Sequence, residues 1–214
     1  MKNNLFVYGG CIYFRKGLSA FLDKEFQIIY FNDIIDLYTV LSVEQPKHIN
    51  VILVLNLSVL SEFVKFNTLL TLLKGDKRVK IGILINKLTS YLSYYFFMKL
   101  NGKVHFFDAE NAKTGGLCKD VKCWFRSGIS SHIRPVYRFY DKKYKIPLMG
   151  WISLVIPLCG ESINDIKNVL GVNKTLIYQA RYVALSKLKM RSYKQFCHLF
   201  FQGSLKIEIL PPYF

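Results

Sequence analysis

The strongest constraint on the fold is an alternation. Five short, almost continuous apolar runs, "NLFVYGG", "FQIIYF", "NVILVLNLS", "VKIGILIN" and "KVHFFDA", recur between Asn4 and Ala109. Each is followed by a stretch whose apolar residues fall three and four apart. "RKGLSAFLDKEF" places Leu18, Phe21 and Leu22 at helical spacing, and "DIIDLYTVLSVEQP" does the same up to a stop at Pro46. "LSEFVKFNTLLTLLKGD", "TSYLSYYFFMKLNG" and "LCKDVKCWFRSG" supply three more helices. Strands that are apolar on both faces belong inside a parallel sheet, where crossover helices cover each side. The order βαβαβαβαβα therefore predicts an α/β, doubly wound parallel sheet.

After Gly128 the character changes. "ISSHIRPVYRFYDKKYK" is polar and basic and holds one proline, so it reads as a linker. The remaining residues show helical spacing only. The expected organisation is an α/β domain over 1–128, a linker over 129–145 and an all-α domain over 146–214. The formal charge is +16, and the C-terminal part carries more of it per residue. Up to Gly128 there are 17 basic and 10 acidic residues, and from Ile129 onward 13 and 4. Such an excess suits a polyanionic partner.

Other classes find little support. The longest apolar runs fall short of the roughly 18 uninterrupted residues of a membrane span. The N-terminus lacks the length and cleavage site of a signal peptide. Five scattered cysteines, of which only Cys118 and Cys123 are close, suggest reduced structural thiols and a cytoplasmic protein. No glycine-rich phosphate loop, metal-ligand spacing or nucleophile–base pairing stands out, so neither an enzyme nor a metal or other cofactor is expected.

The informative segment is "GESINDIKNVLGVNKTLIYQARYVALSKLKMRS", from Gly160 to Ser192. Ser162 sits as an N-cap with Asp165 three residues on. Ile166, Val169 and Leu170 make one apolar face. Gly171 permits a sharp turn, Val172 packs inward, and Asn173 caps a second helix. In that helix Ile177, Ala184, Leu185 and Leu188 face one way. Lys174, Tyr178, Gln179, Arg181 and Tyr182 face largely the other. Two helices joined by so short a turn form a helix-turn-helix.

In that register the segment resembles the four-helix DNA-binding domain of the LuxR/NarL regulators. Gly160, Ser162, Asp165, Ile166, Leu170, Gly171, Val172, Ile177, Lys187, Leu188, Met190, Arg191 and Ser192 match the family pattern without a gap. "IPLMGWISLVIPLC" serves as the preceding helix, so the resemblance runs from Ile146 to Ser192. There are departures. Lys167 replaces an alanine, Leu176-Ile177 replaces Thr-Val, and Pro157 should kink or stop the first helix. The resemblance implies base-edge contacts at Tyr178, Gln179 and Tyr182. It implies phosphate contacts at Lys174, Thr175, Arg181 and Lys187. The chemistry agrees: glutamine pairs with adenine, and a tyrosine offers a flat face to a thymine methyl.

The α/β half resembles the receiver domain of response regulators by topology, with the receiver chemistry missing. A working receiver needs an acidic pair after the first strand for Mg²⁺, an Asp ending the third, a Thr or Ser on the fourth and a Lys on the fifth. This chain has Gly9-Gly10-Cys11, Asn56, Asn86 and Asp108 at those places. It thus resembles the auxiliary regulators of the RcsA and BglJ type, which work with a phosphorylatable partner. The resemblance implies a phosphorylation-independent, nucleoid-associated regulator that binds double-stranded promoter DNA as a homodimer or as a heterodimer with another response regulator. The alternative is an anti-activator that sequesters another regulator through the pseudo-receiver without binding DNA. The aromatic stretch "TSYLSYYFFMKL" has two readings, a surface for a partner or ordinary core.

Overall fold

Each apolar run becomes a strand. In the computed structural model, β1 (Asn3–Tyr8), β2 (Phe26–Phe31), β3 (Ile49–Val54), β4 (Val79–Ile85) and β5 (Val104–Asp108) form one sheet in the order β2-β1-β3-β4-β5. All four pairings are parallel. The register sets Leu5 beside both Ile28 and Asn50, and Ile52 beside Gly82. The structure describes residues 3–9, 12–43, 49–55, 57, 59–86, 89, 91–126, 141 and 143–205. The expected phosphoacceptor position, Asn56, and most of the expected linker lie outside them.

The chain packs as two compact units. The first comprises Met1–Asn56, Thr68–Asn86 and Gly102–Arg134, and the second Leu57–Asn67, Lys87–Asn101 and Pro135–Phe214. In the first unit, α1 (Ile12–Leu22) and α5 (Gly116–Arg126) pack on the sheet. Leu117, Val121 and Trp124, spaced by one helical turn, turn the buried stripe of α5 to Leu5, Val7 and Phe107. Leu18 and Leu22 are buried as their spacing predicts. Phe21 is not: it lies 56% exposed on the outer side of α1. A third apolar residue widened the expected face beyond what the sheet covers. Helix α2 (Ile34–Val43) ends before Pro46.

The second unit is helical. It contains α6 (Leu148–Val155), α7 (Ile163–Leu170), α8 (Lys174–Lys187) and α9 (Tyr193–Phe201). It also takes in α4 (Tyr91–Lys99) and the N-terminal half of α3 (Leu60–Lys74). Trp151 of α6 is fully buried among Tyr91, Tyr144 and Phe196. Its indole N–H donates to Asp141 Oδ2 at 3.0 Å. The same buried carboxylate accepts the backbone N–H groups of Lys143, Tyr144 and Ile146, which fixes the chain entering α6. Helices α6 and α8 meet at Gly150, where a Cβ would come within 2.7 Å of Ile146 and 3.2 Å of Ala184. Among the described residues no helix is long and apolar enough to cross a membrane.

Candidate nucleic-acid interface

The helix-turn-helix forms from the residues its spacing named. Ser162 caps α7: its Oγ accepts the Asp165 N–H at 3.1 Å, and Asp165 Oδ2 accepts the Ser162 N–H at 2.8 Å. Hydrogen bonds from the Ser162 side chain and backbone hold the Asp165 carboxyl below its ordinary value. Ile166 and Leu170 are buried. Gly171 closes α7 at φ 65°, a left-handed conformation that glycine enters without steric cost. Two residues on, Asn173 Oδ1 accepts the Thr175 N–H at 3.1 Å and starts α8. The buried side of α8 is Ile177 and Ala184.

Its outer side is open. Lys174, Thr175, Tyr178, Gln179, Tyr182 and Lys187 are all exposed, with Tyr182 at 75% and Tyr178 at 54%. Leu176 and Val183 are exposed beside them. Lys187 Nζ donates to the Lys145 carbonyl at 2.5 Å from its exposed position. No acidic residue occurs between Gly171 and Phe201.

Arg181 stands apart. It is half-buried, and its Nε and one Nη donate to the Ser153 carbonyl at 3.0 and 2.7 Å. Its guanidinium lies 4.5 Å from the centre of the Tyr193 ring. The cause lies in the first helix. A helical carbonyl at 153 would accept from the backbone N–H at 157, and Pro157 has none. Helix α6 gives way at Val155 to a 3-10 turn over Ile156–Cys159, as the proline implies. The guanidinium supplies the missing donor and adds a positive charge at a helix C-terminus. Tyr193 Oη donates to the neighbouring Leu154 carbonyl at 2.9 Å. Pro157 and Arg181 are thus a matched pair, 24 positions apart in sequence and joined through one carbonyl.

Beside the helix-turn-helix lies a polar cluster that sequence spacing did not reveal. Glu161 precedes the cap of α7, and its side chain is only 10% exposed. Its Oε1 accepts from Lys99 Nζ at 2.5 Å and Asn67 Nδ2 at 2.9 Å, and its Oε2 accepts from Tyr95 Oη at 3.0 Å. Lys99 also donates to Asn67 Oδ1. Burial first, and the Glu161 carboxylate second, push the Tyr95 phenol well above its usual range. Burial likewise pushes the neighbouring Cys159 thiol up to about 12, which makes it an inert packing residue. The available signal was a single lysine in the apolar "YYFFMKL". Helix α4 is covered by α6 and α7, with Tyr91, Leu92, Tyr95 and Phe96 buried. Of the two readings of this stretch, core describes most of it, with Tyr94 left at 46% exposure.

No protein-family model matches the chain, and no curated protein does. Solved structures do. A chain from the structure of two RcsB dimers bound to two parallel DNAs matches at 16% identity and a TM-score of 0.53, covering 95% of this chain and 100% of that one. An RcsB–DNA complex matches at 17% and 0.52, covering 90% and 95%. RcsB from Salmonella enterica serovar Typhimurium, bound to promoter rprA, matches at 16% and 0.51, covering 96% and 100%. The shared property is the fold.

At the carboxyl ends of the strands, where open α/β sheets bind ligands, the described residues are occupied otherwise. The Gly9 carbonyl after β1 accepts from Arg15 Nε at 3.3 Å and an Arg15 Nη at 3.2 Å, and the same guanidinium reaches Asn32. Asp108 at the end of β5 accepts the Glu110 N–H at 2.8 Å and caps a 3-10 turn over Ala109–Thr114. A guanidinium on the carbonyl and no acid after β1 do not fit Mg²⁺, which demands hard anionic oxygen ligands.

Proposed function

We propose that the chain is a sequence-specific, DNA-binding transcription regulator that acts without phosphorylation. The observation that carries this is the outer face of α8: a helix capped at its start, anchored through Ile177 and Ala184, with Lys174, Tyr178, Gln179 and Tyr182 all open to a major groove. RcsB, which shares the fold, is solved bound to DNA and as dimers, which supports double-stranded promoter DNA as the ligand and a homodimer or heterodimer as the binding form. Lys174, Thr175 and Lys187 are assigned to phosphates, Tyr178, Gln179 and Tyr182 to base edges. Arg181 acts indirectly, by holding α6 to α8. Arg15 on Gly9 and the spent Asp108 favour independence from phosphorylation.

Gel-shift titration at several salt concentrations tests the reading. Lys174→Ala lowers the salt slope by about one. Arg181→Ala lowers the melting temperature and leaves the slope of the folded protein unchanged. Wild-type protein without salt-dependent affinity, alone or with a partner regulator, would favour the sequestering anti-activator. An acyl phosphate formed from a radiolabelled phosphodonor would refute phosphorylation independence.

A further inference from the structure

The outer face of α8 is unusual in what it omits. Guanine is read by a bidentate Arg or Lys on O6 and N7, and cytosine by a carboxylate on N4. The one arginine of α8 is turned inward onto Ser153. No acid lies on the helix, and its two lysines sit at its ends, Lys174 and Lys187. Between them the exposed side chains are of three kinds, the first being the hydroxyls of Thr175 and Ser186, which favour no particular base. Gln179 carries an amide that matches adenine N6 and N7. Leu176, Tyr178, Tyr182 and Val183 expose apolar surface, 47%, 54%, 75% and 44% of each residue. Positions 175, 178, 179 and 182 keep the three- and four-residue spacing of one helix face, and 176 and 183 flank it two turns apart.

An apolar strip on an exposed helix face marks a surface made to be covered. In a major groove the apolar feature is the thymine C5-methyl, and it lies in the same base pair as the adenine edge that Gln179 suits. We propose that α8 selects an A·T half-site, with Gln179 on adenine and Tyr182, flanked by Leu176 and Val183, on thymine methyls. This rests on the reading of α8 as the DNA-reading helix and names the bases it reads.

The test uses the full chain and a pool of random-sequence duplexes. The pool enriched by binding is copied with thymine or with uracil, which lacks only the methyl group. The expected result is A·T pairs at the centre of each half-site and an affinity loss of about fourfold for each methyl contact removed. Tyr182→Ala binds the thymine and uracil pools alike, and Gln179→Ala loses its adenine preference. Half-sites centred on G·C, or equal binding of both pools by the wild type, overturn the proposal and leave DNA binding standing. No enrichment and no salt-dependent binding overturn the DNA reading as well, as capture of a protein by this face would.

Discussion

Helices α4 and α8 are both rich in tyrosine, and the molecule uses those tyrosines in opposite ways. In α4, Tyr91 and Tyr95 are fully buried, and Tyr95 donates to a carboxylate inside the helical unit. In α8, Tyr178 and Tyr182 stand out from the surface. Residue type does not separate the two cases. What separates them is the companion each helix carries. Helix α4 brings Lys99, which needs a buried anion, and Glu161 at the start of α7 supplies it. Helix α8 brings its own inward anchors, so its aromatic side is left over. The buried cluster ties α4 to the start of α7, and the cap at that start sets the helix-turn-helix.

The largest effect is expected where the comparison is most one-sided. Glu161→Ala leaves the Lys99 ammonium buried without an anion and should cost about 3–5 kcal/mol, read as a lower urea midpoint. Replacing both partners, Lys99→Met with Glu161→Leu, should recover much of it, because the desolvation cost of both charges goes too. If Glu161→Ala unfolds at the wild-type midpoint, the cluster is not what separates α4 from α8.

The same substitution in each helix sharpens the contrast. Tyr95→Phe removes the donor to Glu161 Oε2, and a hydrogen bond to a charged group contributes about 1.5–3 kcal/mol. Tyr182→Phe removes a hydroxyl that stands in solvent and should leave the midpoint in place. Equal shifts for the two would break the comparison.

Much of this architecture is legible in the sequence. All five strands follow from continuous apolar runs, and the cap Ser162, the turn at Gly171 and the cap Asn173 follow from short spacings whose chemistry is local. What stayed hidden joins residues far apart. Lys99 and Glu161, or Arg181 and the Ser153 carbonyl, are paired by packing, and no spacing rule reaches across 62 or 28 positions. Arg181 shows the consequence. Grouped by charge it goes with the outer lysines, but it follows the buried Ile177 by four and precedes the buried Ala184 by three, so it stands at the edge of the inner side, where the donor missing at Pro157 draws it in.

Local chemistry gives the next smaller effect. Ser162→Ala removes the cap shared with Asp165 and should cost about 1 kcal/mol. The folded Asp165 carboxyl titrates below its ordinary value of 3.8, so its contribution is complete above that value and is lost as pH falls through the lower folded one. The gap between the wild type and Ser162→Ala should therefore be full near neutrality and narrow in acid to what the Ser162 Oγ acceptor contributes by itself, in thermal melts from pH 2 to 7. A gap that does not change with pH would assign the cap to the serine alone.

Among the truncations to alanine the smallest stability effect belongs to Tyr182→Ala, and that is its value. At 75% exposure the side chain contributes little to folding, so the change should stay within about 0.5 kcal/mol. Any loss of DNA affinity in that variant is then a loss of contact and not of fold. Tyr95→Ala cannot make that distinction, because emptying a buried aromatic site costs about 3–5 kcal/mol and weakens binding through unfolding. A Tyr182→Ala protein with unchanged melting and unchanged affinity would mean that the exposed tyrosines of α8 are left over without being used. The functional half of the comparison would then rest on Gln179 and the flanking lysines.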